Sequence, residues 1–179
     1  MSDKKCRWGI LGSAGIAQKN WQSIHHAENA ELVALASRDV TKSQDFINRC
    51  SAQVPHIDKP MALGSYEELL SRDDIDAIYL PLPTGLRPEW ALKVAKAGKH
   101  LLCEKPCGTS LKQVQDIVAA CDRAGVQFMD GVMFMHSERL NKVRQFIDDG
   151  ETIGKLRRIN TQFSFCAPDD FLTENIRMH

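Results

Sequence analysis

The first 130 or so residues alternate short apolar segments with segments of helix-compatible composition. The apolar segments lie near 7–11, 31–36, 61–63, 76–80, 100–103 and 126–129, and the helix-compatible segments at 16–27, 41–50, 66–70, 88–97 and 110–124. Two parallel strands need a crossover between them, and a helix is its usual form. The alternation therefore predicts an α/β fold, a doubly wound parallel sheet with helices on both faces.

The pattern changes near Gly131. From 138 to 148, apolar residues recur at three- and four-residue intervals, which predicts an amphipathic helix. From 158 to 165, polar and apolar residues alternate, which is typical of an antiparallel strand with one solvated face. We therefore expect a doubly wound domain over 1–131, followed over 132–179 by the start of an incomplete α+β domain with an antiparallel sheet.

Composition limits the partners of the chain. Lysine and arginine number 23 and so do aspartate and glutamate, so no basic surplus points to nucleic acid or an anionic membrane. No secretory apolar region follows Met1, and no apolar run is long enough to span a bilayer. The six cysteines are scattered without a C-x-x-C pair, which favours reduced thiols. These features predict a cytoplasmic protein without nucleic-acid or membrane partners.

One group of residues raises the question of a metal site. His100, Cys103 and Cys107 lie on a predicted strand and just after it. Their spacing matches no common zinc pattern, and cysteine in a buried strand usually packs as a small apolar side chain. We predict no metal.

A small-residue turn joins the first strand to the first helix. The dinucleotide fingerprint G-x-G-x-x-G/A falls on Gly12, Ala14 and Ala17, with alanine where a second glycine is usual. Free backbone N–H groups at such a helix start can hold a phosphate. The alternative is a purely structural turn. The predicted cofactor-binding residues here are Gly12, Ser13, Ala14, Gly15 and Ile16.

Ser37 and Arg38 follow the second strand, about twenty residues beyond this turn, where a dinucleotide fold meets the adenosine ribose. A carboxylate there would favour NAD, whereas a hydroxyl and a guanidinium suit a 2′-phosphate. We predict that NADP(H) is preferred, with NAD(H) as the alternative. On that alternative, Arg38 is only solvated and Asp39 binds the ribose.

Four loops follow predicted strands, at 12–15, 37–39, 81–85 and 104–108, so they should meet at one edge of the sheet. The last loop carries Lys105. A lysine near a nicotinamide can exchange a proton with a hydroxyl or carbonyl while a hydride moves. The alternative is that Lys105 and its neighbour Glu104 form an ordinary surface Glu–Lys pair.

Four segments occur in an order that resembles a known family: 9–17, 81–91, 98–106 with its Glu-Lys-Pro, and 127–131. The resemblance is to the glucose–fructose oxidoreductase, inositol dehydrogenase and rhizopine catabolism (Gfo/Idh/MocA) family and covers essentially the whole chain. Within the family, the chain is most similar to the branch of dimeric dihydrodiol dehydrogenase and NADP-dependent xylose dehydrogenase.

The resemblance implies an NADP-dependent oxidoreductase that moves a hydride between nicotinamide and a hydroxyl or carbonyl of a sugar-like or cyclic diol substrate. It implies a homodimer if the second domain is complete, and Lys105 as the catalytic lysine. Arg87 stands where members often have histidine, and His136 where many place a polar residue. The cofactor contacts that it implies are Ser13, Ile16, Ser37, Arg38, Leu80, Pro81, Pro83, Glu104 and Lys105.

Family members are about twice as long as this chain, as two-domain enzymes are. Their second catalytic motif, an Asp followed by His or Tyr, would fall beyond His179. We therefore expect the isolated chain to bind cofactor but to turn over substrate poorly. A non-catalytic dinucleotide-binding regulator and an inactive truncated product are the alternatives.

Overall fold

The computed structural model describes residues 4–166, which contain six strands and six α-helices. The strands are β1 (Cys6–Leu11), β2 (Ala30–Ala36), β3 (Met61–Leu63), β4 (Ala77–Leu80), β5 (His100–Cys103) and β6 (Phe128–Asp130). The helices are α1 (Ala17–His26), α2 (Val40–Ser51), α3 (Tyr66–Leu70), α4 (Arg87–Lys96), α5 (Leu111–Ala124) and α6 (Glu138–Asp148). Two short 3₁₀ turns, Thr84–Leu86 and Met133–His136, precede α4 and α6.

All six strands form one parallel sheet in the order β3-β2-β1-β4-β5-β6. The chain builds outward from β1 to β3, then returns to the middle and builds outward again from β4 to β6. This reversal places the switch point of the sheet between β1 and β4, where doubly wound sheets bind ligands. The predicted α/β fold class is confirmed.

Each face of the sheet has its own core. On the face that α1 and α2 cover, Trp21 and Phe46 are almost fully buried. On the other face, the core includes Trp90 of α4 and Ile117 of α5. Because helices cover both faces, the central strands are apolar on successive residues rather than on alternate ones.

The ends of several helices follow local rules that the sequence contains. Ser65 accepts a hydrogen bond from the Glu68 N–H at 3.1 Å, which is the N-cap that its S-x-x-E pattern predicts. Ser110 caps α5 in the same way, and Gly125 ends that helix in the left-handed conformation. These caps fix where the helices begin and end relative to the strands.

The chain divides into two compact units, the first ending at Val132 and the second starting at Met133. In the second unit, α6 forms as predicted, but the strand that we predicted over 158–165 is absent. A strand requires a neighbour that accepts its backbone hydrogen bonds, and none of the described strands pairs with this segment. The antiparallel sheet of a second domain therefore stays a prediction, and residues 167–179 lie outside the described part of the chain.

The longest described helix has 14 residues. None of the described helices has the length and hydropathy needed to cross a membrane.

Candidate active site

The loops that follow the strands are joined by backbone hydrogen bonds at the carboxyl edge of the sheet. The N–H of Gly12, after β1, donates to the carbonyl of Ala36 in β2 at 2.8 Å. The N–H of Glu104, after β5, donates to the carbonyl of Leu80 in β4 at 3.1 Å. The loops containing the predicted site residues therefore do meet at one edge.

Gly12 is required in the first of these loops for two separate reasons. Its φ of +122° is a conformation that side-chain-bearing residues rarely adopt. A Cβ built on it would also lie only 2.8 Å from Leu82 Cδ2 of the loop after β4. The turn that the sequence places at Gly12 is thus held against a neighbouring loop.

The turn that leads into α1 leaves backbone donors for a ligand. Among the described residues, no side chain caps this helix at its N-cap residue, Ile16. Ala17 is completely buried, which allows the helix to pack closely against the sheet. The N–H groups of Ala17, Gln18 and Lys19 donate to the carbonyls of Ala14, Gly15 and Ile16, so the backbone donors open to an anion are those of the turn before the helix, at the positive end of its dipole. The geometry therefore fits a phosphate group.

The residues after β2 differ in what they are free to bind. Ser37 is buried and its N–H donates to Leu63 O at 3.2 Å, whereas Arg38 is exposed. Asp39 accepts a hydrogen bond from the Thr41 N–H at 2.8 Å and caps α2. Oδ1 of the Asp39 carboxylate thus already serves the helix, which leaves Oδ2 for the alternative in which Asp39 binds the ribose.

The Arg38 guanidinium lies beside the hydroxyl of Tyr66, which begins α3. Burial raises the pKa of the Tyr66 hydroxyl, and its interaction with Arg38 opposes that rise. The Tyr66 ring packs edge-on against Trp90, with ring centroids 4.9 Å apart. A rigid aromatic hydroxyl therefore adjoins the guanidinium that we predict to meet a 2′-phosphate.

Glu104, at the end of β5, is a buried carboxylate held in a fixed orientation. Only 8% of the residue is exposed. Its Oε1 accepts a hydrogen bond from the Tyr79 hydroxyl at 2.8 Å, and its Oε2 accepts one from the Lys105 N–H at 3.2 Å. The carboxylate thus fixes the backbone at the residue that we predict to be catalytic.

Tyr79 was missed by the sequence reasoning. Burial, followed by its hydrogen bond to the Glu104 carboxylate, raises the pKa of the Tyr79 hydroxyl, with an opposing contribution from Asn20 of α1. The signal that could have found it is a hydroxyl in an otherwise apolar strand, one residue before that strand ends at Leu80.

Lys105 lies at the tip of the turn, and its side chain is exposed. The peptide bond between Lys105 and Pro106 is cis. Gly131, just after β6, packs closely behind this turn, because a Cβ on it would lie 3.2 Å from both Glu104 Cα and Glu104 Oε2. The turn therefore has a buried, packed base and presents an exposed primary amine.

The loop after β4 contains the remaining predicted contacts. Leu80 and Pro81 are buried, whereas Pro83 is exposed. Arg87 follows this loop, and its side chain is buried rather than solvated. The guanidinium hydrogen-bonds the carbonyl of Leu82, a group in its own loop, so its role is one that the sequence did not predict.

The residues considered for a metal have other partners. His100 Nδ1 accepts a hydrogen bond from the Gln127 N–H at 3.0 Å. The Cys107 thiol lies 3.9 Å from the Cys103 carbonyl. Within residues 4–166, no group of three or more His, Cys, Asp or Glu side chains could hold a metal ion.

Two other features are a residue of the second unit and a groove in the first. His136 belongs to the second unit, where its side chain is exposed. A groove of about 510 Å³ runs beside His25, His56 and the start of β2. It has no residue of the Gly12 turn or of the Lys105 turn in its wall.

The sheet order, the glycine turn after β1 and the uncapped helix start together define a dinucleotide-binding Rossmann domain. Residues 6–132 match the model of the Gfo/Idh/MocA family, described as an oxidoreductase family with an NAD-binding Rossmann fold. The match covers well over half of the chain, so the chain belongs to this family. The resemblance inferred from the sequence is confirmed.

Relatives with named activities include enzymes of sugar chemistry. The chain is 35% identical over 162 residues to a D-xylose 1-dehydrogenase (NADP(+)) of Haloferax volcanii, covering 90% of this chain and 47% of that protein. It is 35% identical to a dTDP-3,4-didehydro-2,6-dideoxy-alpha-D-glucose 3-reductase of Saccharopolyspora spinosa, covering 89% and 46%. The chain thus spans about half the length of the relatives that it matches.

The fold is also that of a solved relative. The crystal structure of a 3-ketoreductase from Actinomadura kijaniata in complex with NADP aligns with a TM-score of 0.75 and 32% identity. The alignment covers 85% of this chain and 46% of that one.

Proposed function

We propose that this chain is the NADP-binding part of an oxidoreductase that transfers a hydride between nicotinamide and a hydroxyl or carbonyl group of a sugar-like or cyclic diol substrate. The observation that carries the proposal is the pair of residues after β2. Arg38 is exposed at the tip of the strand, while Asp39, the carboxylate that would favour NAD, caps α2. A planar guanidinium is well suited to a 2′-phosphate.

The proposed cofactor site follows the carboxyl edge. The turn from Gly12 to Ile16 would hold the pyrophosphate: Gly12 would let it approach the backbone, and the N–H groups of Ser13, Ala14, Gly15 and Ile16 would donate to it. Ser37 and Arg38 would hold the 2′-phosphate. The residues proposed to lie nearer the nicotinamide are Leu80, Pro81, Pro83, Glu104 and Lys105.

Lys105 is the residue that we propose to move the proton. When bound, the nicotinamide accepts or donates the hydride at C4. In the direction of oxidation, the Lys105 amine takes the proton of the substrate hydroxyl as the carbon loses its hydride, and in reduction the ammonium returns that proton. The hydrogen bond between Glu104 Oε2 and the Lys105 N–H supports this role, because it fixes the backbone from which the amine extends.

The substrate class is proposed from the relatives. Among the proteins that match, one is a D-xylose dehydrogenase and one reduces a deoxysugar nucleotide. In this proposal, residues from 132 onward belong to a second domain that carries substrate contacts and the interface of a homodimer.

The first test is cofactor binding by this chain. We expect a lower Kd for NADPH than for NADH in a fluorescence titration, and we expect Arg38→Leu to weaken NADPH binding by about 10- to 100-fold, the usual effect of losing hydrogen bonds to a charged group. Arg49→Leu, which removes an arginine from the far end of α2, serves as the matched control and should leave the Kd unchanged. Tighter binding of NADH than of NADPH would contradict the assignment.

The second test is turnover by the full-length protein. Oxidation of NADPH or reduction of NADP⁺ with a panel of aldoses, keto-sugars and cyclic diols should identify a substrate. NADPH binding without turnover of any of these compounds would favour the regulator.

A further inference from the structure

Arg87 is a buried cation whose described partners are all neutral. Only 8% of the residue is exposed. Among the ion pairs formed within residues 4–166, none involves its guanidinium. A buried charge is normally paired, because removing it from water is costly. Hydrogen bonds, and not an ion pair, therefore hold the buried Arg87 guanidinium.

Those hydrogen bonds join two separate loops. Arg87 Nε donates to the carbonyl of Leu82 at 2.6 Å, and Nη1 lies 3.2 Å from Thr84 Oγ1, both in the loop after β4. The same Nη1 donates to the carbonyl of Pro106 at 2.8 Å, in the turn after β5. One guanidinium thus fastens the loop after β4 to the residue that directly follows Lys105.

The chain of contacts continues to the phosphate turn. Leu82, whose carbonyl Arg87 holds, also presents the Cδ2 atom that would lie 2.8 Å from a Cβ on Gly12. The loop that Arg87 fastens is therefore packed against the first loop of the sheet as well. Movement of Leu82 would affect the Gly12 turn and the Lys105 turn together.

We propose that Arg87 is a positioning residue, which sets the distance between the loop after β4 and the Lys105 turn and so shapes the nicotinamide side of the cofactor site. The inference rests on the proposed function, since it takes the ligand to be a dinucleotide. Arginine suits this role because donors from two different guanidinium nitrogens point in fixed, divergent directions. A lysine has one nitrogen, which cannot reach the Leu82 and Pro106 carbonyls with the same geometry.

The chain offers a matched control for a merely structural role. Lys99 is also a buried cation, and its Nζ donates to the carbonyls of Arg72 and Ile75 at 2.6 and 2.9 Å. It lies just before β5, at the amino edge of the sheet and away from the proposed site. Loss of Lys99 should lower stability as loss of Arg87 does, but without moving the Lys105 turn.

The experiment compares two ligands on the same variants. NADPH contacts the whole proposed site, whereas adenosine 2′-monophosphate, which has no 5′-phosphate to place on the Gly12 turn, reaches only the part near Ser37 and Arg38. For Arg87→Ala, we expect the Kd of NADPH to rise about 10- to 100-fold, as for loss of hydrogen bonds to a charged group, and the Kd of adenosine 2′-monophosphate to change by no more than about twofold. Lys99→Ala should raise neither Kd, even if its Tm falls by as much as the Tm of Arg87→Ala.

Two further measurements complete the test. Arg87→Lys should remain impaired for NADPH. Guanidinium chloride at low millimolar concentration should restore part of the NADPH affinity of Arg87→Ala, because a free guanidinium can occupy the vacated space, and it should have no such effect on Lys99→Ala.

The outcomes separate this inference from the proposed function. If the unaltered chain binds neither NADPH nor adenosine 2′-monophosphate, both the proposed function and the inference are wrong. If the unaltered chain binds NADPH and Arg87→Ala weakens both ligands equally, or weakens neither, the positioning role alone is overturned. A selective loss of NADPH affinity that guanidinium partly restores supports it.

Discussion

Charged side chains have different partners at the two edges of the sheet. At the amino edge, Arg7 of β1 forms a two-pronged ion pair with Asp76 before β4, with Nη2 and Oδ1 2.8 Å apart. Burial lowers the pKa of nearby Lys99, and the carboxylates of Asp73, Asp76 and Asp74 oppose that change. At the carboxyl edge, Arg87 and Glu104 are more buried than Arg7, yet the partners that the structure gives them are neutral.

The contrast indicates that charges at the amino edge contribute to stability and that charges at the carboxyl edge contribute to ligand binding. Ion pairs at the amino edge cancel each other's fields and fasten strand ends, so they have little effect on a ligand. Lys99 at the amino edge also donates only to carbonyls, but three carboxylates lie near it. Arg87 and Glu104 form none of the ion pairs found within residues 4–166, so their fields act on whatever approaches the carboxyl edge. We therefore expect substitutions at the carboxyl edge to change function, and substitutions at the amino edge to change stability alone.

The largest expected effect is that of Lys105→Met on turnover. Since the exposed amine lies outside the core, stability and NADPH binding should change little, while kcat of the full-length protein should fall by about two to four orders of magnitude, the usual contribution of a general acid or base. Steady-state kinetics beside an NADPH titration measure both quantities. An unchanged kcat would remove Lys105 from the mechanism.

Gly12→Ala tests the first loop of the same edge. The new Cβ requires both a positive φ and the space that Leu82 Cδ2 occupies, so we expect a loss of about 2 kcal/mol in the free energy of unfolding. Gly15→Ala is the matched control, because no atom lies within 4 Å of its added Cβ and its φ is ordinary. Urea denaturation should show a clear difference between the two variants, and equal stabilities would refute the strain assigned to Gly12.

Tyr79→Phe removes one of the two donors that hold the Glu104 carboxylate. A buried acceptor that loses a hydrogen-bond partner costs about 1–3 kcal/mol, so the free energy of unfolding should fall by an amount in that range. The free carboxylate should also let the Lys105 turn shift, which a rise in the Kd of NADPH would report. A Tyr79→Phe protein with unchanged stability and an unchanged Kd of NADPH would contradict the role assigned to the Glu104 carboxylate.

Asp76→Asn at the amino edge should have the smallest effect, on stability only. Hydrogen bonds from Arg7 hold the pKa of Asp76 well below its ordinary value of 3.8. A carboxyl whose pKa is lower in the folded state stabilises it above the unfolded pKa, and that contribution is lost as the pH falls. We expect the variant to be less stable by about 1 kcal/mol at pH 7, as for a partly exposed pair, and the difference to shrink below about pH 4.

Urea unfolding at pH 7, 5 and 3.5 measures this difference, with the Kd of NADPH recorded at pH 7. A gap in stability that does not narrow between pH 5 and pH 3.5 would show that the ion pair is not its source. A rise in the Kd of NADPH would contradict the expectation that substitutions at the amino edge change stability alone.

Much of the fold follows from local signals. The bounds of β3, α3, β5 and α6 are those that the sequence predicts, because Gly, Pro, Ser and apolar periodicity mark their ends. The prediction of a strand over 158–165 is wrong because a strand depends on more than local signals. Its alternation of polar and apolar residues is a local property, whereas a strand exists only when a neighbour completes its hydrogen bonds.

In the site, too, some residues follow from local sequence and others depend on distant partners. Gly12, Ser37, Arg38 and Lys105 were predicted because each follows a strand, and the carboxyl ends of parallel strands must share an edge. The partners of Glu104 and Arg87 were not predictable. Tyr79 is 25 residues from Glu104 in the chain, and Pro106 is 19 residues from Arg87.

By itself, then, the sequence determined the order of strands and helices, the glycine turn and the residues that emerge at the carboxyl edge, because these depend on neighbours in the chain. Only the tertiary structure decided that Asp39 caps a helix, that Glu104 is held by Tyr79 and that Arg87 is a buried tie between two loops. Each of these depends on which strands lie side by side in the sheet or on how a loop folds back. Such distances are set by the packing of the whole domain and by no local pattern.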